Sequence, residues 1–278
     1  MGSLGSLESL GRAAGIAYRE AGSSNDRVAL LVHGYPESSY MWHDALPALA
    51  DAGWRALAPD LPGYGDSEPG AGAGAGTWER HVEALERFAR ELDLPPVALV
   101  THDWGAMIGL RWACDHPGAV SALAISDGGF FADRRWHEVA NVMRTPGEGE
   151  QLIRAYTREG FHGAMRAFSS GMSEQAIDEY WKGFADDTRR LAHLELYRSG
   201  DFDKLVPYEG RLAALGVPAL ILWGVQDKFA GVKMARRFHE ELPDSELVLF
   251  EDAGHFVWDE EPERASRALV DFLARRVG

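Results

Sequence analysis

The chain has little of several things, and each shortage removes a class of explanation. It holds one cysteine, Cys114, in 278 residues, so no disulfide framework can be built within it. Cys114 sits in an apolar helical stretch and reads as a small buried hydrophobe. Positive charge is scarce, with 28 Lys and Arg against 43 Asp and Glu and a formal net charge of −15. Nucleic acids and anionic membrane surfaces both demand clustered cations, so neither is expected as a partner. No apolar run reaches the length of a membrane span. The opening MGSLGSLESL lacks the basic start and long apolar centre of a secretory signal, and the expectation is a cytoplasmic protein. The Gly2…Ser6 spacing fits the loose pattern for N-myristoylation, which is too short to carry weight alone. No metal or cofactor is expected.

What is present suffices for a large core. Apolar residues make up 46%, an ordinary share for a globular protein, and the length suits one core plus an insertion. VALLV (28–32) is a continuous apolar run that predicts a strand buried on both faces. Further strands are predicted at 55–60, 97–101, 120–126, 218–224 and 246–250, separated by helices at 42–52, 77–92, 105–116, 232–242 and 262–276. This alternation implies a mostly parallel sheet with helices on both faces. The Gly/Ala run 70–76 has no side chains to pack and reads as a mobile surface loop. From 128 to 215 the pattern is helical, with four or five amphipathic segments and no convincing strand. The domain expectation is therefore a core of 1–127 and 216–278, with a helical cap, 128–215, over the strand ends where such sheets bind ligands.

Val100-Thr101-His102-Asp103-Trp104-Gly105 joins a buried strand to a helix. A turn this sharp lifts one side chain into the crevice, and the residue two after it must be small, as Gly105 is. In serine hydrolases the raised residue is the Ser of G-x-S-x-G; that pentapeptide is absent, and Asp103 stands in its place. A carboxylate is already ionised at neutral pH and needs no base to attack. It suits displacement at a saturated carbon, giving an alkyl ester that water must then split. The bland alternative is that Asp103 only caps the following helix.

His33-Gly34-Tyr35-Pro36 follows the first buried strand, so the backbone N–H groups of Tyr35 and Trp104 can form an oxyanion hole, with His33 structural. His255, between the last strand and the last helix, is placed to activate the water. The other nine histidines are less well placed; His43, His81 and His239 read as exposed helical residues. The acid that orients His255 is open between Asp227, which is preferred, and Asp127, each following a strand.

Four segments, HGYPESSYMW (33–42), DLPGYGDS (60–67), HDWGA (102–106) and AGHFVWDEEPE (253–263), together resemble the Asp-nucleophile branch of the α/β-hydrolase superfamily, with its epoxide hydrolases, haloalkane dehalogenases and haloacetate dehalogenases. The resemblance implies the α/β-hydrolase fold with an inserted helical cap, and an enzyme acting on a small apolar electrophile. HG-(aromatic)-P-E-S and an acid at Asp227 resemble the epoxide hydrolases, and Tyr197 matches one of that family's two ring-opening tyrosines; Tyr156 or Tyr180 could supply the other. For the dehalogenases, Trp104 could donate its indole N–H to a halide. Tyr35 stands where many of them have an Asn donor, so Trp136 or Trp181 would have to replace it. The haloacetate dehalogenases' arginine positions read Trp104 and Met107, which speaks against a carboxylate substrate. Epoxide hydrolysis is preferred, with haloalkane dehalogenation as the alternative. A ligand-binding member without activity is a third reading, opposed by the retained nucleophile, base and oxyanion loop.

Overall fold

A computed structural model describes residues 8–169 and 171–277. Eight strands form one sheet in the order β1-β2-β4-β3-β5-β6-β7-β8. Its middle is β3 (Arg27–Val32), β5 (Val97–His102), β6 (Val120–Ser126) and β7 (Ala219–Gly224), paired in parallel. Nearly every residue of these four is buried, which is why their sequences run apolar without alternation: helices cover both faces. β4 (Trp54–Pro59) lies beside β3, and β8 (Ser245–Phe250) forms the far edge, where burial is only partial.

The sequence pattern did not reveal the other edge. β1 (Glu8–Ala13) and β2 (Ile16–Ala21) form an antiparallel hairpin, and β2 continues antiparallel onto β4. Its turn places Ala14 and Gly15 at φ 51° and 80°. Left-handed turn positions usually announce themselves through Asn or Asp before Gly, and Ala14 hides the signal. The Gly2…Ser6 pattern lies outside the described residues.

The predicted helix 42–52 begins as a 3-10 turn, Ser39–Trp42, and continues as α1 (Ala45–Asp51). In α2 (Trp78–Glu91) the residues Trp78, His81, Val82, Leu85 and Phe88 form one buried stripe, as helical periodicity requires. His81 is thus a core residue, not an exposed one, and burial drives its pKa down to about 3. The Trp78 indole donates to the Met107 carbonyl at 3.0 Å, tying α2 to α3 (Trp104–Asp115). α9 (Lys233–Glu241) packs on β7 and β8. After the short α10 (Val257–Glu260), α11 (Pro262–Arg276) begins at a proline and ends on two arginines, the arrangement that orphan amides and the helix dipole favour.

Between β6 and β7 come five helices: α4 (Glu138–Arg144), α5 (Glu148–Arg154), α6 (Arg158–Phe168), α7 (Glu174–Trp181) and α8 (Asp187–Ser199). Among the described residues this stretch has no strand. Thr157, Ser173 and Asp186 start α6, α7 and α8 by accepting backbone N–H bonds, which contributes roughly 1 kcal/mol per cap. Arg19 meets Glu179 at 2.8 Å, and Arg189 donates to the Ser67 carbonyl at 2.6 Å, so the inserted helices are pinned to the core. The Gly/Ala run is also less free than expected. Gly74 and Gly76 donate their N–H groups to the two carboxylate oxygens of Glu195 on α8, at 2.9 and 2.8 Å.

Candidate active site

The turn from β5 to α3 holds Asp103 at φ 48°, ψ −118°, a strained setting for any residue but glycine. Close packing enforces it. A Cβ on Gly105 would stand 2.1 Å from the Val32 carbonyl oxygen, and one on Gly34 would stand 2.4 Å from Asp103 Cβ. The Asp103 N–H donates to the Ser126 carbonyl at 3.2 Å, locking the turn to β6. Asp103 makes no side-chain capping bond to α3, which removes the cap-only alternative. Its Oδ1 accepts the Tyr35 N–H at 2.9 Å. Trp104 is the first residue of α3, so its N–H has no acceptor within the helix.

His255 lies between β8 and α10 with Nε2 3.6 Å from Asp103 Oδ2, too long for a hydrogen bond. Its Nδ1 is 2.9 Å from Asp227 Oδ2. Asp227 Oδ1 in turn accepts the N–H groups of Phe229 at 2.6 Å and Ala230 at 2.9 Å. This arrangement fixes the proton on Nδ1 and leaves the Nε2 lone pair facing Asp103. Burial lowers the His255 pKa, but the carboxylates of Asp227 and Asp103 more than reverse it, and the net shift is upward. Burial likewise raises Asp227, and His255 with the two amides brings it below its ordinary value.

Asp127 is not the partner of His255. Its Oδ1 accepts the Gly224 N–H at 3.0 Å, and its Oδ2 is 4.0 Å from His102 Nδ1. Burial and the nearby Asp227 push its pKa far up. It belongs to a buried polar layer below the turn. There His102 stands 3.3 Å from Glu37 and 3.2 Å from the Ser126 hydroxyl, which also accepts the Trp258 indole N–H at 2.8 Å. Burial pushes the Glu37 pKa well up and the His102 pKa well down. His33 is structural: it accepts the Leu61 N–H at 2.9 Å.

Above Asp103 opens a cleft lined by Tyr35, His137, Tyr156, Phe161, Met165, Tyr197 and Phe229 among others. The aromatic candidates separate here. Tyr197 and Tyr156 line the cleft. Tyr180 does not: it is wholly buried, its hydroxyl on Asp259 at 3.0 Å. The Trp104 and Tyr197 rings lie 5.3 Å apart and nearly perpendicular. Trp136 gives its indole N–H to the Gly200 carbonyl at 3.1 Å. Trp181 packs on Phe161 and Phe184, away from the cleft. Of the three indoles, that of Trp136 is taken and that of Trp181 lies away from the cleft, whereas Trp104 stays beside Asp103.

Arg134 and His137, which the sequence reading passed over, also reach the site. The ring of His137 accepts the Ala140 N–H through Nδ1 at 3.2 Å, which puts its proton on Nε2. Both come from the loop between β6 and α4.

A family model described as alpha/beta hydrolase fold matches residues 28–262. The chain is 26% identical to a cis-3-alkyl-4-alkyloxetan-2-one decarboxylase of Xanthomonas campestris pv. campestris, over 94% of this chain and 92% of the relative. It is 28% identical to a haloalkane dehalogenase of Mesorhizobium japonicum, over 93% and 87%. The solved structure of the ancestral haloalkane dehalogenase AncHLD2 superposes with a TM-score of 0.81 at 26% identity, covering 96% of this chain and 99% of that one. The epoxide hydrolase VrEH1 of Vigna radiata superposes with a TM-score of 0.80, covering 99% and 100%, and at 23% identity speaks to the fold alone. The chain belongs to the α/β-hydrolase fold family and is a hydrolase, with haloalkane dehalogenases among the proteins it resembles. Among the described residues no group of His, Cys, Asp and Glu could hold a metal, and no helix is long and apolar enough to cross a membrane.

Proposed function

We propose that this protein is an epoxide hydrolase that works through a covalent ester on Asp103. The observation that carries the reading is Tyr197. Its phenol lines the cleft together with that of Tyr156, above a carboxylate set for displacement. Ring opening releases an alkoxide, a poor leaving group unless acids meet it. Tyr197 supplies one O–H, and Tyr156 the second, with the Nε2–H of His137 as a further donor.

The sequence runs in two stages. A carboxylate oxygen of Asp103 bonds to a ring carbon, the C–O bond breaks, and the alkoxide takes a proton from a phenol. Water then gives a proton to His255 Nε2 and attacks the ester carbonyl, while the N–H groups of Tyr35 and Trp104 hold the developing oxyanion. The ester oxygen departs with the proton that the water left on the Asp103 carboxyl, which frees the diol, and Asp227 steadies the imidazolium until its proton returns to the phenolate. The helices α4–α8 act as a cap that keeps bulk water from the ester.

Haloalkane dehalogenation is the weaker reading, because the Trp136 indole already has an acceptor, which leaves Trp104 without a second indole donor beside it. The Xanthomonas relative is named for a strained oxygen ring, in keeping with ring opening. A side-by-side assay of styrene oxide and 1-bromobutane tests the choice. Diol from the first without bromide from the second supports it; bromide release with no diol from any epoxide overturns it.

A further inference from the structure

The cleft over Asp103 has a second, narrower compartment, and a cation lines it. Arg134 lies between β6 and α4, and its side chain shares this space with Asp103, Trp136, His137 and Tyr197. The guanidinium lies 5.3 Å from the centre of the Phe202 ring. It also crosses Gly129, where a Cβ would come within 1.9 Å of it. Its Nε is shut off from solvent and has no hydrogen-bond partner. Among the described residues Arg134 enters no ion pair. The adjacent Asp133 turns outward to Arg237 at 2.5 Å, and Asp227 is held by His255 and two amides. An arginine stays charged under these conditions, and the carboxylates of Asp103 and Asp227 act on this one without pairing with it. Its guanidinium is therefore free to take up an anion that enters the compartment.

The two compartments share a wall. Asp103, His137, Tyr197 and Phe229 line both, while the larger side is otherwise apolar, with Phe161, Met165 and Phe168. A molecule that reaches into both places its middle atoms at Asp103. We propose that Arg134 is a carboxylate subsite, and that the substrate is an epoxide with a carboxylate on one ring carbon and an apolar group on the other. The inference rests on the ring-opening reading and departs from a wholly apolar substrate. Arg134 comes from the inserted segment, not from the helix after the nucleophile, so the absence of arginine at 104 and 107 does not exclude a carboxylate. Opening follows the same balance: Asp103 bonds to a ring carbon, the ring oxygen takes a proton, and water completes a dihydroxy acid. Throughout, Arg134 offsets the repulsion between the substrate carboxylate and Asp103.

Two measurements test this. Kinetics of wild type and Arg134→Gln are compared on sodium 3-phenylglycidate and on β-methylstyrene oxide, its uncharged counterpart. The substitution should raise KM for the glycidate by about tenfold or more, the loss expected for a charge-assisted hydrogen bond, and change kcat/KM for the neutral epoxide by less than about threefold. Arg134→Lys should recover part of the loss. Equal loss on both substrates, or none on the glycidate, overturns the subsite. The second measurement needs no turnover: calorimetry of cinnamate binding to Asp103→Asn and to Asp103→Asn/Arg134→Gln, both checked for wild-type-like melting. Binding weakened about tenfold by the second substitution supports the subsite, and binding that is absent or equal in the two overturns it. If wild type turns over neither epoxide while cinnamate still depends on Arg134, the reaction is wrong and the subsite stands. If β-methylstyrene oxide is hydrolysed and cinnamate ignores Arg134, the subsite alone fails.

Discussion

The Tyr180 hydroxyl lies 3.0 Å from both carboxylate oxygens of Asp259, deep between α7 and α10. Burial raises the Asp259 pKa to about 7, although the Tyr180 bond pulls the other way. The folded protein thus binds this proton more tightly than the unfolded chain, whose pKa is near 3.8. Stability from the group is fully present below the unfolded pKa and declines as pH rises through the folded one. Asp259→Asn cannot ionise and keeps an acceptor for Tyr180. Its melting temperature should exceed that of wild type at pH 8, by a margin that narrows at pH 5. Thermal scans at the two pH values decide it; a constant difference, or one that widens toward acid, refutes the assignment.

His255→Gln should separate the two chemical stages. Asp103 needs no base to attack, so alkylation continues while ester hydrolysis stops. Mass spectrometry of the digested protein should show an adduct on the peptide carrying Asp103. Asp103→Ala should turn over nothing, and sustained turnover by it would remove Asp103 from the reaction.

Asp227→Asn leaves His255 without its fixed tautomer and should lower the rate by about 10²–10⁴, by analogy with other triads. The pH dependence should move with it. His255 must be neutral to accept a proton, and its pKa is raised, so the acid limb of kcat in wild type should fall above the ordinary histidine value. Removing the Asp227 charge leaves burial in control and should shift that limb downward. Asp127→Asn, whose contacts are to Gly224 and His102, should slow turnover by less than about tenfold. The reverse ranking would return the acid to Asp127.

Tyr197→Phe should lower turnover of styrene oxide by about tenfold or more, as loss of a proton donor does. Tyr156→Phe should do the same, while Tyr180→Phe, remote from the cleft, should affect melting rather than rate. Steady-state kinetics of the three variants provide the comparison, and an unchanged rate in Tyr197→Phe would remove ring-opening by that phenol.

What the sequence made legible follows from how local each signal is. The turn at Asp103 is written in consecutive residues, an apolar strand followed by H-D-W-G, and the oxyanion loop in another such run. The parallel strands show because burial on both faces leaves a run of consecutive apolar residues in each. The choice between Asp227 and Asp127 has no local signature, since both follow strands, and only packing decides it. Tyr156 and Tyr180 differ in a way helical spacing can express: Tyr180 follows Ile177 by three on the buried face of α7, whereas Tyr156 lies between two helices. Arg134 and His137 were passed over because an isolated Arg or His in a helical insertion has no spacing to mark it. The β1–β2 hairpin was missed because Ala14 occupies a backbone conformation that Asn or Asp more often signals.

The clamp of Glu195 on Gly74 and Gly76 divides the Gly/Ala run into two parts of different tolerance. Residues 71–73 are exposed, whereas a Cβ at Gly76 would press to 2.4 Å from the Ala192 carbonyl oxygen on α8. Added residues are best accommodated where the backbone is neither buried nor bonded. An affinity tag or fluorescent domain spliced in after Gly72 would therefore leave the inserted helices seated, giving a handle on the enzyme at a point the chemistry does not reach.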